Sequence, residues 1–167
     1  GWIWHATLNT RDTIQLSTPF EVPEKKQPFR GPLIGLAIVL PKKGFDEVLR
    51  MTSEMGVDVI QPLHSARSVS YVDADSKRLR WEGIIREAVE QSERLWKPEI
   101  RSIINANHWL QQRPPKVAVA LAVTRELRTK DVQFWMKGLN QDIDQIWVAI
   151  GPEGGWTTKE QSLAKAT

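Results

Sequence analysis

Ile150-Gly151-Pro152-Glu153-Gly154-Gly155-Trp156 is the stretch on which the reading of the fold turns. An apolar run, Ile146–Ile150, leads into it. Thr157 and Glu160 follow at the S/T-x-x-E spacing of a capping box, in which two side chains satisfy free N–H groups at a helix start. The order is strand, glycine-rich turn, helix. The glycines allow backbone to approach a ligand closely or to take positive φ, which residues with a Cβ resist. Pro152 stiffens the turn, and Glu153 places one carboxylate among exposed amides. By spacing alone, the same residues also suit a plain tight connection.

Upstream of this loop, strand and helix patterns alternate. Leu33–Leu40 is a continuous apolar run, as in a strand buried on both faces of a parallel sheet. Pro41-Lys42-Lys43-Gly44 turns the chain. Phe45, Val48, Leu49 and Thr52 then recur at helical spacing, Gly56 stands at a C-cap position, and Val57-Asp58-Val59-Ile60 opens the next strand. That is a βαβ crossover. Ser76–Trp96 is the longest helical pattern, with Trp81, Ile84, Ile85, Ala88, Val89 and Ser92 on one face, charges opposite, and Pro98 just beyond. Ile100–Asn107 is weakly patterned, and Asn105-Ala106-Asn107-His108 reads as a break. Lys116–Val123 is apolar, Arg125–Lys130 polar, and Asp131–Leu139 suits a helix with Val132, Trp135 and Leu139 inward. Parallel strands are thus expected near 34–40, 57–61, 117–123 and 146–150, with helices near 45–55, 77–96, 131–139 and 158–166. This is an α/β domain with a largely parallel sheet. Its loop at Gly151 falls at the carboxyl ends of the strands, where open α/β sheets bind ligands.

Residues 1–32 read differently. Trp2, Trp4 and Ala6 alternate with Ile3 and His5, Thr13-Ile14-Gln15-Leu16 alternates again, and Asn9-Thr10-Arg11-Asp12 supplies turn residues between them. This suggests a β-hairpin of a small sheet or barrel, in which the tryptophans either pack or stack on bases. Thr18–Pro32, with four prolines, suits an edge or linker.

Composition narrows the classes of function. At 167 residues and 41% apolar, the chain can bury one core, and no run approaches membrane-spanning length. Cysteine is absent, which removes disulfides, thiolate metal sites and thiol nucleophiles. A net charge of +3 permits RNA binding and hardly argues for it. The start lacks both an initiator Met and a signal-peptide pattern, so a longer cytoplasmic parent polypeptide is expected.

Three stretches carry a resemblance to a known family: IGPEGGW with T-x-x-E, LPKKGFDEVLRMTSEMGVDVIQPL (Leu40–Leu63), and RW-x-x-I-x-x-E-A-x-E-Q-S-x-R (Arg80–Arg94). Together they resemble the ribosomal RNA small subunit methyltransferase E family of the SPOUT class. The resemblance implies S-adenosylmethionine-dependent methylation of uridine N3 in the 16S RNA of the small ribosomal subunit, by a cytoplasmic homodimer. It implies a SPOUT-type trefoil-knot methyltransferase domain over 33–167, and over 1–32 the closing part of a PUA-like RNA-binding β-barrel with its linker. The family's further glycine- and leucine-rich segment, with its "LG" and "RxET", is not found before Thr167, so the knot is expected to be incomplete here. The resemblance assigns Gly151, Pro152, Glu153, Gly154, Gly155, Leu121 and Ala122 to the cofactor. It assigns Lys42, Lys43, Arg67 and Arg94 to RNA, and no metal. A valine at Gly154 is then expected to abolish cofactor binding, by filling ligand space or by clashing with positive φ.

Methyl transfer needs positioning more than covalent help. Uridine N3 carries a proton and becomes a good nucleophile only once that proton leaves, so a base or a cation favouring the anion is expected. Glu153 could be the base, or could cap the next helix or bind backbone amides. Arg67 or Arg94 could stabilise the anion. Arg67 equally suits a phosphate contact or a solvated loop, and Glu90, Gln91, Ser92 and Arg94 suit either the cleft or plain packing. His64 reads as a loop residue. The alternatives in function are a catalytically silent RNA-binding module of the same architecture, or a SPOUT enzyme acting on another RNA.

Overall fold

The computed structural model describes residues 2–10, 12–26, 31–68, 74–123 and 131–166. In chain order the elements are β1 (Trp2–Ile3), β2 (Ala6–Leu8), β3 (Ile14–Leu16), β4 (Lys25–Lys26), β5 (Leu33–Val39), α1 (Phe45–Met55), β6 (Val59–His64), α2 (Ala74–Gln91), β7 (Glu99–Ile100), β8 (Ile104–Asn105), α3 (Ala106–Gln111), β9 (Val117–Ala122), α4 (Val132–Lys137), β10 (Gln145–Ile150) and α5 (Thr158–Ala166). The polar run Arg125–Lys130 lies outside the described residues.

The central sheet runs β7-β6-β5-β10-β9, every pairing parallel, with β8 adding to the far end of β6. Alternate residues of β5 and the residue after it serve opposite faces, which is why its run is apolar throughout. Leu36, Ile38 and Leu40 join Phe45, Leu49, Ile60, Trp81 and Ile85 under α1 and α2. Ala37 and Val39 join Leu63, Ala106, Trp147, Ala149 and Trp156 on the side of α3 and α5. The chain leaves β5 towards one face and β10, its neighbour, towards the other. Such a switch point opens a crevice at the carboxyl ends of the strands.

Helix limits follow local chemistry. Gly56, at φ 90°, sends its N–H to Ser53 and Thr52, and Val57 donates back to Thr52 at 3.0 Å, closing α1 as a left-handed cap. The α2 helix stops at Gln91, five residues before the expected Trp96. Glu93 turns left-handed at φ 53° and Arg94 donates back to Val89, so the chain exits although its apolar spacing continues. The supposed break at Asn105–His108 is instead a helix start, where the Asn105 side chain accepts the Asn107 N–H at 2.9 Å. On α4, Val132 is exposed rather than inward, and no residue of that helix is fully buried. Arg113 donates to the carbonyls of Leu163 and Ala164, tying α3 to the last turns of α5.

The capping box at the start of α5 is formed. Thr157 N–H donates to Glu160 Oε2 at 2.7 Å, and Glu160 N–H donates to Thr157 Oγ1 at 3.2 Å. The Glu160 side chain is fully buried, so its hydrogen bonds have no water to replace them. Thr157→Ala is expected to lower stability by about 2 kcal/mol, at the upper end for a lost cap. A shift in the urea midpoint at constant slope would show it.

The amino-terminal residues form two small antiparallel pairs, β2 with β3 and β1 with β4. The expected hairpin is present, with the Asp12 N–H donating to the Asn9 carbonyl and Asp12 at φ 54°. Trp4 stacks on Phe20 at 5.0 Å, and Trp2 meets Trp4 edge-on, so the pair packs with neighbours. Leu8 and Ile14 remain exposed.

Candidate functional site

Strand β10 is hydrogen-bonded on both sides, which fixes where its trailing loop emerges. That loop, Gly151–Gly155, faces Ala122 and Val123 at the end of β9 and Arg67 from the loop after β6. Together they line a cavity of about 620 Å³, within the size range of small-molecule and cofactor sites.

The loop is tied to three different strand ends. Trp156 Nε1–H donates to the Ala122 carbonyl at 3.1 Å, Arg67 Nη1 donates to the Gly154 carbonyl at 2.8 Å, and Glu153 Oε1 accepts the Lys42 backbone N–H at 3.1 Å. Trp156 is 4% exposed, so it anchors the loop in the core as well as bonding to β9. Gly155 has φ 71°, a conformation in which a Cβ is strained. At Gly151 the constraint is space: a Cβ would lie 2.9 Å from Trp156 Cε2. Gly154 is less constrained than the sequence suggested. Its φ is not positive, and a Cβ would only touch Arg67 at ordinary distances of 3.6 and 3.7 Å. The argument from backbone conformation therefore belongs to Gly155, while the argument from ligand space still applies to Gly154, which lines the cavity.

Hydrogen bonds from its own amide and from that of Lys42 hold the Glu153 carboxyl below its ordinary pKa, and the Lys42 charge adds to them. A shift in that direction weakens a base, whereas a catalytic carboxylate working near neutrality needs the opposite. The tether is intact above the ordinary carboxylate range and is lost only as pH falls through the depressed pKa.

The structure thus brings together Gly151, Pro152, Glu153, Gly154, Gly155, Ala122 and Arg67. Leu121 sits one residue back on β9 and packs against the core under α3. Lys42 and Lys43 line a neighbouring cleft. Arg94 is not brought to the cavity. The α2 helix runs back against the strands, so the residues after it return to the end of the sheet where the strands begin. There Arg94 Nη1 donates to the Glu54 carbonyl at the end of α1, and the guanidinium lies 4.8 Å from the Trp96 ring centre. Ile150, Val123, Trp156 and Gln161 complete the wall, and sequence reasoning gave them no role in binding. A tryptophan placed directly after the glycines was the signal that one of them was an anchor. Among the described residues no cluster of His, Asp or Glu could hold a metal, and no helix is long and apolar enough to cross a membrane.

A glycine loop at the switch point of a parallel sheet, facing a neighbouring strand end across such a cavity, defines a ligand-binding α/β domain. The RNA methyltransferase domain family matches residues 30–167. Ribosomal RNA small subunit methyltransferase E of Synechocystis sp. is 37% identical over 99% of this chain and 54% of its own length. The protein of that name from Aquifex aeolicus is 24% identical over 99% of this chain and 69% of its own length. Among solved structures, ribosomal RNA small subunit methyltransferase E from Neisseria gonorrhoeae bound to S-adenosyl methionine superposes with a TM-score of 0.67 at 27% identity, covering 81% of this chain and 55% of that one. A probable rRNA-methyltransferase from Porphyromonas gingivalis reaches a TM-score of 0.79 over 96% of this chain and 66% of that one at 23% identity, a likeness of fold. The chain belongs to the RNA methyltransferase domain family. It spans about half the length of the Synechocystis relative.

Proposed function

We propose that this chain, within its full-length protein, carries out S-adenosylmethionine-dependent methylation of N3 of a uridine in 16S ribosomal RNA of the small subunit. The observation that carries the reading is the cavity between the glycine loop and the end of β9, its loop held at three points. The residues fit the cofactor: the cavity is of suitable size, and its glycine wall presents backbone rather than side chains. Gly151, Pro152, Gly154, Gly155 and Ala122 would hold it, with Leu121 behind them and Glu153 bracing the loop. When bound, the cofactor supplies an electrophilic methyl group.

The chain's own work is to orient and to stabilise charge. Arg67 is a permanent cation on the cavity wall, suited to favour the uracil anion that forms as the N3 proton leaves. Its bond to Gly154 makes it a brace of the loop too. Arg67→Ala should weaken S-adenosylmethionine binding roughly tenfold, about 1.4 kcal/mol, while leaving stability within about 0.5 kcal/mol because the side chain is exposed. Calorimetric titration beside a urea curve reads both.

The domain boundaries follow the same reading. Residues 33–167 would be the SPOUT methyltransferase domain, part of a trefoil knot, and 1–32 the closing part of a PUA-like barrel. Exposed Leu8 and Ile14 on β2 and β3 support further strands packing there. Pairing into a homodimer is supported by exposed Phe134, Met136 and Val132 on α4. Leu163 and Ala164 on α5 are half-buried and offer less apolar surface for pairing. A monomer by light scattering, active at micromolar concentration, would remove the dimer. The expected compartment is the cytoplasm, where the ribosomal substrate is assembled.

The function is tested by incubating the full-length protein with S-adenosylmethionine and unmethylated small subunits, then mapping the RNA by reverse transcription. A methyl group on N3 blocks the pairing edge, so a new stop at one uridine is expected. No stop, together with no calorimetric binding of S-adenosylmethionine, would leave a silent RNA-binding module.

A further inference from the structure

A second cleft opens where the turn after β5 meets the first turns of α1 and α2. Lys42, Lys43, Lys77 and Arg80 surround it, Phe45 and Trp81 form part of its floor, and its volume is about 350 Å³. Among the described residues one carboxylate, Asp46, reaches its lining and is ion-paired to Arg80. Among the described residues, four cations against one acid leave a surplus of three at this one opening, while the whole chain carries a formal net charge of only +3. The overall balance conceals this concentration, because basic and acidic groups elsewhere cancel. Like charges gathered around a small opening repel unless an anion joins them, and a concave site strengthens their joint field.

The floor indicates which part of a nucleic acid would enter. Phe45 and Trp81 meet edge to face at 4.9 Å and are only 8% and 4% exposed. Buried in this way, they offer no open ring face on which a base could stack. The cleft offers charge without a stacking platform, which suits phosphate and not base. Its position is equally specific. Lys42 lines this cleft while its backbone N–H holds Glu153 of the glycine loop, so cleft and cavity adjoin at one turn.

We propose that this cleft seats phosphodiesters of the RNA strand whose target base enters the neighbouring cavity. The proposal rests on the methyl-transfer reading for what happens in that cavity, but the cleft's own chemistry is phosphate recognition.

The test uses the full-length protein and a short fluorescein-labelled oligouridine, with affinity measured across a series of salt concentrations. The double variant Lys43→Gln/Lys77→Gln removes two cations and touches no residue of the cavity. Its plot of log affinity against log salt should be shallower by about 1.4, and its affinity roughly tenfold lower near physiological salt. S-adenosylmethionine affinity should stay within about twofold of the parent. Lys43→Arg/Lys77→Arg should keep the parental slope, and so should Lys97→Gln, which lies at the opposite end of the sheet. An unchanged slope in the glutamine variant would overturn the cleft. A parent that binds no S-adenosylmethionine, yet loses slope in the glutamine variant, would overturn the methyl-transfer reading and leave the phosphate cleft standing.

Discussion

Gly151→Val should reduce S-adenosylmethionine affinity by about two orders of magnitude, ~2.7 kcal/mol. The reason is Trp156. A Cβ at Gly151 would stand 2.9 to 3.1 Å from the atoms of its indole, and valine adds two more carbons. The indole has nowhere to retreat, being 4% exposed and bonded through Nε1 to Ala122. Either the loop shifts outward or the indole leaves its partner. The first narrows the cavity and the second unties the loop from β9. Overpacking of this kind costs about 1–3 kcal/mol, and a lost buried hydrogen bond adds about 1 more. The same variant should therefore lose some stability. Calorimetry on folded protein, checked by circular dichroism, separates binding from unfolding, and parental affinity would show that the loop does not form the cofactor wall.

A larger loss of stability is expected from Gly35→Val. Gly35 lies opposite Trp147 in the register of β5 and β10, and the indole ring covers the space a side chain would need. A Cβ would overlap the ring itself. Trp147 is boxed in by Trp109, edge-on at 5.5 Å, and by the Arg101 guanidinium at 5.7 Å, and its Nε1–H donates to Gln145. The backbone cannot yield either, since β5 is paired on both sides. The cost should reach at least about 3 kcal/mol, the upper range for forced insertion into a packed core. For a domain of marginal stability this is a large fraction of the total. Urea unfolding would detect it, and a parental midpoint would mean that the tryptophan is free to repack.

The parts of the fold that were legible in sequence are those with a periodic or stereochemical signature. The Leu33–Leu40 run marks a two-faced strand because both faces of β5 are covered, and Gly56 marks a helix end because only glycine takes φ 90° cheaply. Thr157 and Glu160 announce α5 through a reciprocal pair of hydrogen bonds. The β7, β8 and α3 elements were not legible. Strands of two residues have no period to read, and the Asn105 that caps α3 looks like any loop asparagine. The end of α2 was misplaced because Glu93 enters the left-handed region without the glycine that usually signals it.

Within the site, residue type identified the glycine loop, but the division of labour among its members needed coordinates. Steric demand rests on Gly151 and Gly155, set by Trp156 and by backbone conformation. Arg67 and Arg94 looked equivalent as cations. Helical spacing tells which face a residue occupies and not at which end of the sheet the helix delivers it, and the two arginines lie at opposite ends. The cationic cleft was only half visible, since Lys77 and Arg80 join Lys42 and Lys43 through the packing of α2 on α1.

The position of β10 also bears on how the chain reaches this state. Among the described strands β10 comes last in chain order, yet it takes a central place, between β5 and β9. Until Gln145–Ile150 emerge, β9 has no neighbour among the described strands, and β5 shows an open hydrogen-bonding edge beside an apolar face. The sheet cannot grow outward from a finished nucleus; it must accept a late strand into a gap. Contacts so distant in sequence make folding slow, and they leave unpaired strand edges open to other chains in the meantime. The strand that carries the glycine loop is thus also the one that fills the gap between β5 and β9, so a nascent chain acquires this cavity and covers those two strand edges in the same event.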